Sequence, residues 1–244
     1  MQVIADVGSN WNTLEDCLKA IKFAAKDDID IVKFQFYTQE KLYGGIKPGA
    51  PKKRPGELPR AWIERLHEQC EKSNLEFMCS VFHPGDVLLL NEYVCCHKIA
   101  SAEATHRHLI DTCVRTNKPV LVSCGCVDPR ELPQDVIPMA CISEYPAKSL
   151  PIEDLIFMHN QMENEGIPFG LSDHCTSHTD VNYEIADRMG ATFYEFHYNP
   201  LNITSNDSPH SRDKFVRPRI LANRRNKAIA RVYTEQGWFR KLDG

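Results

Sequence analysis

Eight short runs rich in Val, Ile, Phe and Cys recur along the chain, each closed by a turn signal and followed by residues with helical spacing. They occupy residues 2–8, 29–36, 75–82, 95–101, 119–125, 138–143, 168–173 and 192–198. Between them, Leu14, Leu18 and Ile21 repeat at three-to-four spacing after Asn12 and Thr13, which are good N-cap types. "RAWIERLHEQCEKS" and "TDVNYEIADRMG" behave alike, the second closing on Gly190. Strands that alternate with helices make a parallel sheet buried on both faces, which explains why these runs are almost continuously apolar. Eight of them are the count of a closed barrel. The expected fold class is therefore α/β, a (β/α)8 TIM barrel, with a helix after each strand.

At 244 residues the chain suits one such barrel, so a single domain over residues 1–244 is expected. An insert over residues 38–59, rich in Gly, Pro and Lys, is too long for an ordinary connection and reads as a lid or mobile segment. A terminal helix is expected over about residues 213–236, with "RPRILANRRNKAIAR" as its solvated face. A mean hydropathy of -0.40 and the lack of a long apolar run exclude a membrane protein. Net charge of -4 argues against nucleic acid as a partner. The N-terminus shows no basic stretch followed by an apolar one, so a cytoplasmic location is expected. Ten cysteines, mostly inside apolar runs, fit neither a disulfide framework nor a paired zinc site and read as packed thiols.

Polar residues collect at the C-terminal ends of the strands, the rim where barrels of this kind build active sites. They are Asp6, Lys33, Gln35, Ser80, Lys98, Ser101, Glu103, Ser123, Ser143, Tyr145, Ser172, Asp173, His174, Glu195 and His197. A lone serine there is usually a cap or turn residue. Lys33 and Lys98 differ, because an ammonium inside an apolar strand must find an anion or bear a large desolvation cost. Two on two strands suggest one shared anion. With the hydroxyls of Ser80, Ser101, Ser123 and Ser172 they compose a phosphate site. His174 and His197 end the seventh and eighth strands, so their imidazoles can share one divalent ion with open positions left over.

The ordered motifs "ADVGSN", "VKFQ", "FMCSVF", "HKIASAE", "LVSCG", "CISEYP", "GLSDH" and "YEFH" closely resemble the catalytic barrel of N-acetylneuraminate (sialic acid) synthases. Relatives of those enzymes make legionaminic, pseudaminic and spore-coat nonulosonic sugars, and the similarity runs over about residues 2–215. The resemblance implies condensation of phosphoenolpyruvate with an N-acyl aldose such as N-acetylmannosamine, releasing phosphate by C–O cleavage. It further implies phosphate binding by Lys33, Ser80, Lys98, Ser101, Ser123 and Ser172, and a divalent metal, manganese or magnesium, on His174 and His197. Sugar contacts carry over to Gln35, Ser143, Tyr145 and Asp207, the last near the metal and its water. Asp6 and Glu103 are the carboxylates that could take a proton from the attacking water.

The family pattern has Glu where this chain has Asp6, His where it has Trp11, and in several relatives Asn where it has Ser143. On this reading the small C-terminal antifreeze-like domain is missing, and a homodimer is possible. Two alternatives stand beside the leading one. Lys52, Lys53 and Arg54 in the insert could hold a second phosphate, which would make the acceptor a phosphorylated aldose. A barrel that has lost turnover could instead serve as a binding protein.

Overall fold

A computed structural model describes residues 1–43 and 56–215. Eight parallel strands close a barrel in which sequence neighbours are also spatial neighbours: β1 (Gln2–Gly8), β2 (Ile31–Phe36), β3 (Glu76–Val81), β4 (His97–Ile99), β5 (Val120–Ser123), β6 (Ile137–Ala140), β7 (Gly170–Asp173) and β8 (Phe193–His197). β1 pairs with β8 from Gln2↔Phe193 to Asp6↔His197, which seals the ring. The TIM barrel read from the sequence is the fold observed.

Helices α1 (Leu14–Lys26), α2 (Gln39–Tyr43), α3 (Ile63–Lys72), α4 (Pro84–Leu90), α5 (Arg107–Val114), α6 (Ile152–Glu165) and α7 (Thr179–Arg188) lie along the connections. Local chemistry sets their ends. Thr13 accepts from the Asp16 N–H while the Asp16 carboxylate accepts from the Thr13 N–H, a reciprocal capping box. α1 then buries Cys17, Leu18, Ala20, Ile21 and Ala24 against the sheet. α7 ends ahead of Gly190, whose φ of +79° supplies the left-handed turn expected there.

One connection departs from the expectation of a helix after every strand. β5 and β6 are joined by a loop holding only a single 3-10 turn, Pro129–Glu131. Pro129 and Pro133 each lack an N–H, and a proline ring clashes with the preceding turn, so an α-helix cannot propagate through both. The expected insert is partly helical, with α2 at its start; its residues 44–55, including Lys52, Lys53 and Arg54, lie outside the described residues. So does the expected terminal helix beyond residue 215.

Two apolar layers hold the barrel. Outward-facing strand residues pack against the helices, while Ile4, Ile31, Met78, Cys96, Leu121, Ile137, Met139 and Phe193 form a separate plug inside the ring. Gly170 makes that plug possible. A Cβ at this position would stand 2.3 Å from Met139 Sδ and 2.8 Å from the Phe193 carbonyl, so only hydrogen leaves room for the methionine. All ten cysteines are free thiols, and only Cys126 is exposed. Among the described residues no helix is long and apolar enough to cross a membrane.

Candidate active site at the barrel mouth

Strand periodicity builds the site. Side chains alternate between the two faces of a strand, so the residue two positions beyond an inward-facing one also points inward. Two positions past the plug residues Ile4, Ile31, Met78, Cys96, Leu121, Met139 and Phe193 stand Asp6, Lys33, Ser80, Lys98, Ser123, Cys141 and Glu195. Ser172 follows Gly170 in the same way. One step along each strand thus converts a dry plug into a polar ring, and every one of these polar residues is buried.

The two lysines do share an anion, and within the protein that anion is Glu195. Lys33 Nζ lies 2.8 Å from Asp6 Oδ2 and 3.3 Å from Glu195 Oε2, and donates to Ser80 Oγ at 3.1 Å. Lys98 Nζ stands 3.5 Å from Glu195 Oε1 and donates to Ser123 Oγ at 2.6 Å. Ser172 Oγ donates to Glu195 Oε1 at 2.8 Å. Burial alone would raise the Glu195 pKa, yet Lys33 and Lys98 outweigh it and pull the carboxyl down to about 2. Burial opposes charge on Lys33 as well, but Asp6 and Glu195 raise its pKa; Lys98, with Glu195 as its nearest carboxylate, is lowered by burial.

Glu103 is the opposite kind of carboxyl. It sits on the 3-10 turn Ser101–Glu103 after β4, its Oε2 is buried without a hydrogen-bond partner, and burial raises its pKa. Two carboxyls whose surroundings drive them apart in this way divide naturally into a permanent anion and a proton carrier.

Imidazoles adjoin this bridge, His174 beside Ser172 and His197 beside Asp6. The His174 and His197 ring centres are 5.4 Å apart, with Tyr145 stacked on His174 at 4.3 Å. His174 Nδ1 lies 2.6 Å from the Ile142 carbonyl, which can only accept, so this nitrogen carries the proton. Ser172 spends its single proton on Glu195, so the 3.3 Å approach of its oxygen to His174 Nε2 leaves that nitrogen's lone pair free. Burial, then the neighbouring His197, pushes the His174 pKa down to about 3, and burial also lowers that of His197. Neutral rings with a carbonyl-anchored N–H are the form in which histidine binds metals. His197 Nδ1 is buried with no hydrogen-bond partner, another mark of a site that fits a cation.

The model of the NeuB family matches residues 20–226. The chain belongs to the NeuB family. It is 30% identical over 188 residues to the pseudaminic acid synthase of Helicobacter pylori, covering 71% of this chain and 52% of that protein. With the Bacillus subtilis spore coat polysaccharide biosynthesis protein SpsE it shares 27% identity over 224 residues, covering 80% and 59%. The chain therefore spans little more than half the length of these relatives. The N-acetylneuraminic acid synthetase of Leptospira borgpetersenii, solved in complex with citrate, superposes with a TM-score of 0.74 at 25% identity over 99% of this chain and 86% of that one.

In this NeuB-family barrel most residues expected at the site converge. Asp6, Lys33, Ser80, Lys98, Ser123 and Ser172 surround Glu195 directly or through one partner. Gln35 Nε2 reaches Asp6 Oδ2 at 3.4 Å. Ser101 Oγ lies 3.0 Å from Cys141 Sγ and accepts from the Gly125 N–H at 3.2 Å; Ser143 stands beside the same glycine. Asp207 is held from the other side, accepting from the Ser9 N–H at 2.6 Å and the Ser9 hydroxyl at 2.8 Å.

Three residues had no assigned role in the sequence reading. Glu195 showed only as a strand-end polar residue. His210, three residues past Asp207, places its ring 4.6 Å from that of His197 and 4.9 Å from that of Tyr145. Arg212 is buried and ties the segment after β8 to the end of β7 through Asp173 Oδ2 at 2.6 Å, the Tyr194 hydroxyl at 2.9 Å and the Cys175 carbonyl. Asp173 thereby acts as an anchor, also accepting from Asn182 and Tyr194.

Proposed function

We propose that this barrel condenses phosphoenolpyruvate with an N-acyl aldose, such as N-acetylmannosamine or a related amino sugar, to give a nonulosonic acid and phosphate. The carrying observation is the buried Lys33–Glu195–Lys98 bridge ringed by serine hydroxyls, with the neutral His174 and His197 beside it at one barrel mouth, His174 Nε2 3.3 Å from Ser172 Oγ and His197 Nδ1 3.7 Å from Asp6 Oδ2. Membership of the NeuB family supports it.

In this reading Lys33, Lys98, Ser80, Ser101, Ser123 and Ser172 bind the phosphate, and two ammonium groups offset its charge as it leaves. Gln35, Ser143, Tyr145 and Asp207 orient the sugar so that its aldehyde carbon lies against the enol carbon. His174 and His197 would hold the divalent ion, manganese or magnesium, and such an ion would supply Lewis acidity for the carbonyl addition. The enol carbon forms the new C–C bond, and water adds to the resulting cationic C2. Glu103 takes that water's proton, its Oε2 being buried without a hydrogen-bond partner and its pKa raised by burial. Asp6 is the weaker candidate, because Lys33 holds its Oδ2 and the Gly8 N–H its Oδ1. The C2–O bond to phosphate then breaks as the C2 hydroxyl oxygen forms the keto group and its proton leaves with the phosphate. The proton taken up by Glu103 ends on the former aldehyde oxygen, so that phosphoenolpyruvate, aldose and water balance against acid and phosphate.

The test is release of phosphate from phosphoenolpyruvate with Mn²⁺ and a panel of N-acyl hexosamines. Release that depends on an acceptor is expected; no release with any acceptor overturns the proposal.

A further inference from the structure

The ion site has more donors than the two histidines that end β7 and β8. Donor atoms of His197, Asp207 and His210 all lie within 4.8 Å of one another. Atoms about 2.1 Å from a common ion stand roughly 3.0–4.2 Å apart, so a closure of about half an ångström brings the three onto one centre.

Several features hold this trio in place. A Cβ on Gly8, whose φ is +54°, would stand 2.3 Å from Asp207 Oδ2; the bare glycine is what lets the carboxylate enter the mouth. Ser9 fixes Oδ2 through two hydrogen bonds, leaving Oδ1 turned toward His210. The gap from Oδ1 to His210 Nε2 is 3.6 Å, too long for a hydrogen bond and wide enough to be bridged. The loop itself is pinned at Asn10 by Ser205, at the Asp207 carbonyl by Ser211, and at Asp173 by Arg212. Independently, His197 is 8% exposed and its Nδ1 has no hydrogen-bond partner.

We propose that Asp207 and His210 join His197 in holding the divalent ion, so that the loop after β8 supplies two protein ligands beyond the histidines that end β7 and β8. This rests on the proposed synthase reading and adds to its two histidines one imidazole and one carboxylate, which on a six-coordinate ion still leaves positions for water and substrate. His174, with its free Nε2, stands beside the trio.

The test is Mn²⁺ binding followed by electron paramagnetic resonance, on wild type, His210→Ala, Asp207→Asn and His174→Ala, with metal-free melting as a check on folding. His210→Ala is expected to weaken Mn²⁺ binding tenfold or more and to remove one coupled imidazole nitrogen from the pulsed spectrum. Asp207→Asn is expected to weaken binding with the nitrogen count kept. An unchanged affinity in His210→Ala, or a weakened one with the same nitrogen count, overturns the proposal; the latter would make His210 a residue that positions Asp207. If His210→Ala does not fold, Asp207→Asn decides, and unchanged affinity there is likewise fatal. Failure of the synthase reading looks different, as intact Mn²⁺ binding with no phosphate release from any acceptor.

Discussion

Glu195→Gln removes the charge that joins Lys33 to Lys98 while keeping the shape of the side chain. Both ammonium groups are buried; Lys33 keeps Asp6, but Lys98 is left with the Ser123 hydroxyl and the Ile99 carbonyl. The drop in the Glu195 pKa from 4.5 to about 2 corresponds to about 3 kcal/mol at roughly 1.4 kcal/mol per pH unit. Removing one partner of a buried pair typically costs about 3–5 kcal/mol, which agrees. In a domain of this size each kcal/mol moves Tm by about 2–4 °C, so thermal melting followed by circular dichroism should fall by about 6–12 °C at pH 7. The sign with pH is fixed by linkage. A carboxyl held below its ordinary value stabilises the fold above that value, and the contribution is lost as pH falls through the folded value. The gap between wild type and Glu195→Gln should therefore be constant above about pH 5 and narrow as pH falls from 4.5 toward 2. Adding Lys98→Met should cost less than the two single changes summed, because the orphaned charge is gone. A variant that melts within about 2 °C of wild type at pH 7 would refute the bridge as a source of stability.

Two further substitutions test the scaffold. Gly170→Ala should destabilise by about 1–3 kcal/mol in urea unfolding, since the new methyl meets Met139 Sδ at 2.3 Å and a β8 carbonyl that the sheet holds in place; a neutral result would show that the plug is looser than its geometry. Arg212→Met should cost about 3–5 kcal/mol by stranding the buried Asp173 carboxylate; a loss under about 1 kcal/mol would mean that Tyr194 and Asn182 suffice to satisfy it.

How much of this was readable beforehand follows from the range of each interaction. The strands were legible because a strand buried on both faces is continuously apolar, and a barrel repeats that run eight times. Lys33 and Lys98 stood out for the converse reason: an ammonium in such a run has no bland explanation. The helix missing between β5 and β6 was legible too, in Pro129 and Pro133, but the regular strand period outvoted two local signals.

What the chain did not disclose was pairing. Glu195 carries the same one-letter oddity as Lys33, and deciding that the two meet requires the register that sets Asp6 beside both Lys33 and His197, and Ser172 beside Glu195. Register in a closed ring is a property of all eight strands, so no window around Glu195 contains it. His210 and Arg212 are harder still. They sit in a loop without periodicity, where a histidine and an arginine read as solvated polar residues. Arg212 is buried because its backbone bridges to Tyr198 and its guanidinium crosses to Asp173, thirty-nine positions away in the chain. His210 is carried inward on that same anchor. The sole local hint was its spacing, three residues after an aspartate, which becomes informative only once Gly8 is seen to admit Asp207 to the mouth.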